Sequence, residues 1–160
     1  MKPISLTFNR QRGLSIVEFA LVAAVLFVLI FSVIEVGRAF FVASTLDEST
    51  RRGARMAAVC PVNDPAILQA AAFNNAVIPE LDAGDISVEY LDAAGGIVGN
   101  PAAASGFRTI RFVRVRVVGY QHQMFIPFAT ALAVFNMPEF VTVLPRESLG
   151  IPRTGVITAC

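Results

Sequence analysis

The sequence predicts an α+β protein: a long N-terminal membrane-spanning helix that continues into a small domain with a second helix and an antiparallel sheet. Three observations predict it. Residues 14–34 form an apolar run of 21 residues whose one ionisable group is Glu18. No Pro follows Pro3 until Pro61, so nothing breaks a helix over that length. Beyond position 60, apolar and polar residues alternate in short runs separated by Gly, Pro and Asn turns. The formal net charge of the 160 residues is only +1, which argues against a chain that recruits nucleic acid by bulk charge.

A helix of 21 residues covers roughly 30 Å, the thickness of a bilayer's hydrocarbon core. Three readings compete for this run. A buried core helix would keep a polar face, and this stretch has none. A cleaved secretory signal has an apolar region of about 7 to 15 residues. Gly37-Arg38-Ala39 loosely fits its cleavage site, but the run is too long and Glu18 interrupts it. A single-span anchor remains. Glu18 is then an intramembrane acid and a functional candidate by default, the bland alternative being a carboxylate that snorkels to the interface.

Orientation does not follow from the basic residues. Lys2, Arg10 and Arg12 precede the span, while Arg38, Arg51, Arg52 and Arg55 follow it among Glu35, Asp47 and Glu48. The two cysteines say more. Cys60 and Cys160 make an even pair suited to an oxidising compartment, the alternative being two unpaired thiols. A bridge would close a loop of about 100 residues and contribute roughly 4 to 5 kcal/mol in the chain-entropy model. If the two pair, the C-terminal portion lies outside the cytoplasm and the N-terminus inside.

Gly13 followed by an acid five positions later, at the head of a long apolar helix, resembles the prepilin-type leader of type IV pilins and pseudopilins. The fuller run Arg12-Gly13-Leu14-Ser15-Ile16-Val17-Glu18-Phe19-Ala20-Leu21-Val22, with Ile34-Glu35-Val36-Gly37-Arg38 at the far end, resembles the TadE-like family of the tight-adherence (Tad/Flp) pilus system. The resemblance covers about residues 10–60; past that point it rests on a late strand and the pair Arg146-Glu147. It implies a pilin-like minor pseudopilin of the bacterial inner membrane, single-pass, with its N-terminus cytoplasmic and its C-terminal domain periplasmic. An aspartic prepilin peptidase would cut after Gly13 and leave Leu14 first. Many prepilins carry an aromatic or Met there, so Leu14 is a departure. The implied partners are that peptidase, the major pilin and other minor pseudopilins, the inner-membrane assembly platform and the lipid bilayer. Glu18 takes the place of the pilin-type assembly acid, and Glu35, Gly37 and Arg38 that of the family motif at the end of the span. The chain divides into a leader (1–13), a transmembrane helix (14–36), an amphipathic continuation (37–59) and a periplasmic α+β domain (60–160).

The chemistry of such a cut can be stated without the family. Losing Lys2, Arg10 and Arg12 leaves ten Lys/Arg against twelve Asp/Glu. It also frees an α-amino group, with a reference pKa of about 7.7 to 8.0. Glu18 lies about 6 Å further along the helix axis. A carboxylate at mid-bilayer costs on the order of 2 to 3 kcal/mol, less near the interface, and an amine, its own or a neighbouring subunit's, offsets this.

Past residue 34 the helical pattern continues to about Val59, giving a rod of about 68 Å from Leu14. Val36, Phe40, Ala43, Leu46, Gly53, Ala54 and Ala57 form a stripe at helical spacing, bulky first and small at the end, where close packing is expected. Asp47 and Arg51, like Glu48 and Arg52, stand four apart in the favourable order, on a solvated face. Cys60-Pro61 ends the helix, and Asp64-Pro65 opens a second through about residue 78. Strands are expected over residues 86–91, 107–120 and 140–144, with the Ala/Gly/Ser-rich stretch to Gly106 as loop. Residues 125–135, too short to span, would cover the sheet as helix or loop, or form a partner surface. The tail to Cys160 would lie along the domain, tied down by the bridge.

Arg108, Arg111, Arg114 and Arg116 lack interleaved aromatics, so they read as a sheet face paired with Glu89 or helix acids, and no nucleic-acid partner is expected. His122, flanked by Gln121 and Gln123, reads as an exposed residue. The sequence has no Cys-x-x-Cys, phosphate-binding glycine loop or nucleophile elbow, and Asp82, Asp85 and Asp92 lack a calcium-loop pattern. No catalytic residue, metal site or cofactor is expected; the chain is better read as a substrate of an enzyme. A different function class stays open: an unprocessed single-span inner-membrane protein that presents a periplasmic binding domain to a secretion or envelope complex.

Overall fold

One helix runs from Arg12 to the far side of the domain. In a computed structural model that describes residues 12–78, 80–125, 134–151 and 160, α1 spans Arg12–Val59, 48 residues or about 72 Å. Three expectations lie wholly or mostly outside the described residues: the leader before residue 12, residues 126–133 of the covering segment expected over 125–135, and the course of the tail over 152–159; Val134 and Phe135 of the covering segment are strand and not helix or loop. The first half of α1 is bare. Ile16, Phe19, Leu21, Leu26 and Phe27 are all exposed, as is every residue around them but Ala23, which is half-buried.

Burial begins at Glu35 and recurs every three or four residues, through Val42, Leu46, Ser49, Thr50, Ala54, Ala57 and Ala58. This corrects the expected stripe. Leu46, Gly53, Ala54 and Ala57 are buried and Ala43 half-buried, but Val36 and Phe40 are exposed. Hydrophobicity just past a membrane span cannot separate a face turned to lipid from one turned to the domain, and here the buried face starts with a carboxylate. The small end does allow close packing. A Cβ added at Gly53 would lie 3.0 Å from Ala71 Cβ and 3.1 Å from Val115 Cγ1, so α1, α2 and the sheet meet where α1 has no side chain.

The C-terminal end of α1 is closed by the segment after the last strand. Glu147 N and Leu149 N donate to Ala58 O, and Gly150 N and Ser148 Oγ donate to Val59 O. Those carbonyls have no partner within the helix, so the strap satisfies them. Gly150 has φ +79° and an added Cβ would sit 2.6 Å from Pro61 Cγ, which leaves glycine as the residue that fits. Cys60 and Cys160 are bonded, with their Cα atoms 5.7 Å apart.

Helix α2 (Pro65–Ala71) starts as expected, with Asp64 accepting from Ala66 N at 2.9 Å and Pro at the first position. It stops well short of residue 78. Phe73, Asn74 and Asn75 take positive φ (51°, 51° and 59°) in a single 3-10 turn. Asn tolerates that left-handed region, and the turn sets the Phe73 ring under the Arg52 guanidinium, 4.7 Å from the centroid.

The sheet has the order β1-β2-β5, all antiparallel: β1 (Ile86–Leu91), β2 (Phe112–Val117) and β5 (Phe140–Pro145). β1 and β5 lie where expected. The expected strand over 107–120 is shorter, because residues 104–109 form a short helix, α3 (Ala104–Thr109). An added Cβ at Gly106 would run into the Asn100 carbonyl, so the loop and the helical turn are packed too tightly for an extended chain to replace them. Val88, Val115 and Thr142 are cross-strand partners on the face turned to α1, and Thr142 Oγ1 meets the buried Thr50 Oγ1 at 2.8 Å. On the opposite face Glu89 accepts from Arg114 at 2.6 Å and Arg116 at 2.5 Å, the pairing expected of the arginine run, whereas Arg108 lies in α3 and Arg111 donates to the Arg108 and Ile110 carbonyls. A two-stranded hairpin, β3 (Gln121–Gln123) with β4 (Val134–Asn136), was not anticipated.

Candidate functional site at the two ends of the span

The candidate residues fall at two levels of one helix. At the lower end, α1 begins at Arg12 and passes through Gly13 and Leu14, so the expected cut lies on its first turn. Glu18 is exposed, among apolar residues exposed on every side. The stretch Ser15–Val59 contains an 18-residue window long and apolar enough to cross a membrane, with none of it buried in the protein. A bare apolar window of that length is the geometry of a helix solvated by lipid, since a core helix of a soluble domain would be covered.

At the upper end the span stops in a polar knot. Glu35 is 7% exposed, and its carboxylate accepts four hydrogen bonds. Arg38 Nη1, one turn on, bridges both oxygens at 3.1 and 3.0 Å. His122 Nε2 meets Oε1 at 3.1 Å, and the backbone N of Phe125 donates to Oε2 at 3.1 Å. A buried carboxylate is stable only when so satisfied. Residues some 90 positions apart in sequence are thereby fastened to the edge of the span. Gly37, between Glu35 and Arg38, has open space where a Cβ would stand, so no described residue requires glycine there.

The expectation that His122 is exposed is therefore wrong. It is 3% exposed, and its strand reads exposed, buried, exposed. The one signal in the sequence was an acid at the edge of the apolar run that needed a partner, since Gln-His-Gln is too short to establish a strand period. Two residues earlier, Tyr120 is buried and its hydroxyl donates to Glu80 Oε2 at 3.3 Å. Burial first, then the neighbouring Glu80 charge, push its phenol up to about 12, so the donor keeps its proton under ordinary conditions.

Of the remaining sequence-derived residues, Cys60 and Cys160 are brought together, and Cys160 N also donates to Asp64 Oδ2 at 3.2 Å. Asp82 and Asp85 cap a 3-10 turn, while Asp92 accepts from Ala94 N and Gly96 N within its own turn. Among the described residues no three His, Cys, Asp or Glu side chains are grouped to hold a metal ion. A concavity between α1 and α2 is lined by Arg52, Arg55, Met56 and Phe73, with no acid or nucleophile among its lining residues.

Gly13, Glu18, Glu35 and Arg38 thus mark out one helical segment, with the expected cut at its start and a polar knot at its end. Residues 13–55 match the family model for TadE-like protein. The match supports the resemblance to the TadE-like family of Tad pilus systems, and it ends within α1, before the sheet domain begins. No curated protein and no solved structure matches the chain.

Proposed function

We propose that this protein is a minor pseudopilin of a Tad/Flp-type pilus, processed by prepilin peptidase after Gly13 and anchored by residues 14–36 in the bacterial inner membrane, with the domain of residues 60–160 in the periplasm. The observation that carries this reading is the TadE-like match over residues 13–55, which begins at the glycine of the expected cut and takes in Glu18. The Cys60–Cys160 bond supports the orientation, because a structural disulfide suits an oxidising compartment. Its partners are the peptidase, the major pilin and other minor pseudopilins, and the inner-membrane assembly platform.

In this reading the leader keeps the start of α1 tied to the cytoplasmic face until Gly13 is cut. The cut removes three positive charges and creates an amine at Leu14, about 6 Å along the axis from Glu18. The carboxylate then pairs with an α-amino group, its own or a neighbouring subunit's, which offsets its cost in the membrane and selects axial register during assembly. N-terminal sequencing of the protein purified from membranes of cells that hold the peptidase tests the first step. Leu14 as first residue is the expected result; Met1 would remove the pseudopilin reading. Glu18→Gln is expected to stay in the membrane yet lose co-purification with pilus components, and unchanged co-purification would refute the register role.

A further inference from the structure

The hairpin β3–β4 sits at the level where the span ends. The Phe125 amide and the His122 ring both reach the Glu35 carboxylate, so the end of β3 is held beside the last turn of the apolar run. Glu35 and Arg38 are the first charged residues after Glu18, and a membrane boundary falls at their height. Phe125 is 83% exposed there. Gln123 pairs with Val134 and His122 with Phe135, so the end of the hairpin next to Phe125 carries two more exposed apolar side chains, 53% and 47% exposed. On α1, Val33, Ile34 and Val36, the neighbours of Glu35 in sequence, are exposed apolar residues at the same height.

We propose that the β3–β4 hairpin is a second membrane contact: its apolar end, led by Phe125, rests in the headgroup and acyl boundary of the bilayer, and the Glu35 knot fixes it there. An aromatic ring at that depth replaces water with lipid at little cost, as interfacial aromatics do. The contact makes the domain stand on the membrane at two points and so limits its swing about α1. Its attachment to Glu35, at the end of the apolar run, favours lipid as occupant over a second copy of the chain.

The inference rests on the span reading, and one experiment separates the two. The chain has no Trp, so each introduced Trp is a lone reporter. Full-length Phe125→Trp, Val134→Trp, Val25→Trp and Val59→Trp proteins would be reconstituted in phosphatidylcholine–phosphatidylglycerol vesicles, with either brominated acyl chains or aqueous iodide as quencher. Val25→Trp reports insertion of the span, and Val59→Trp, about 36 Å above Glu35, reports water. Phe125→Trp and Val134→Trp are expected to emit at shorter wavelength than Val59→Trp and to lose at least twofold more intensity to brominated lipid than to iodide. If Val25→Trp is quenched by brominated lipid while both hairpin reporters are quenched by iodide alone, the hairpin lies in water and the proposal falls. If both are shielded from both quenchers, protein covers the hairpin and the proposal also falls. If Val25→Trp itself escapes brominated lipid, the span reading fails with it.

Discussion

Residues 15–34 of α1 and residues 35–59 of the same helix differ in how much of their circumference meets the rest of the chain. The first stretch meets almost none of it: apart from Ser15, Glu18 and Ser32 its side chains are apolar all round, and all but the half-buried Ala23 are exposed. The second buries a single stripe of Leu, Thr, Ser, Gly and Ala against α2 and the sheet, while Asp47–Arg51 and Glu48–Arg52 bridge on its outer side. A helix solvated by lipid needs uniform apolarity, whereas one docked on a sheet needs a shape that lets backbones approach. Glu35 is the joint between the two regimes, and its four hydrogen bonds fix where one gives way to the other.

Six variants break or sharpen that contrast. The largest effect is expected from removing the bridge: Cys60→Ser with Cys160→Ser lowers the stability of the docked half by about 4 kcal/mol and leaves helicity of the span unchanged, read by thermal unfolding in detergent with near- and far-ultraviolet circular dichroism. Next comes Glu35→Ala, which orphans His122 and the Phe125 amide at a cost of about 2 to 3 kcal/mol. Faster hydrogen exchange at residues 121–123 and 134–136, without a change at β1 or β2, is the expected signature. Uniformly faster exchange would mean that the knot supports the whole domain and not the joint alone.

Gly53→Leu drives a side chain into Ala71 and Val115 and should destabilise by about 2 kcal/mol, visible as a lower denaturant midpoint. The same change at Gly37, which faces open space, should cost nothing measurable in the isolated protein. Arg52→Ala sits at the small end of the scale. Its bridge to Glu48 is half exposed, and about 0.3 kcal/mol is expected, with any larger loss assigned to its stacking on Phe73, a distinction that Phe73→Leu resolves.

What the sequence made legible follows the same division. The span, the helix end at Cys60-Pro61, the Asp64 cap and the strands β1 and β5 all rest on local signals: apolarity, Pro, an N-cap, alternation. Misread were the places decided by distant contacts. Val36 and Phe40 look like the start of a core stripe until the hairpin chooses the Glu35 face instead. Residues 107–109 have strand-like composition, yet the Asn100 loop packs against Gly106 and holds a helical turn. The hairpin itself has three residues per strand, too few for any period to show, and exists because it pairs across a long connection and reaches Glu35. His122, dismissed as exposed, was lost for that reason.

The bond between Cys60 and Cys160 also has a mechanical consequence. Cys60 is the first residue past α1, and the bond closes the 100 positions after it into a covalent ring hung on the end of the rod. A load applied between the rod and Cys160 passes through the two sulfur atoms and cannot draw the domain out; after reduction the same load has about 350 Å of chain to extend. Tension is thereby confined to the helix, and the fold of the ring is shielded from it.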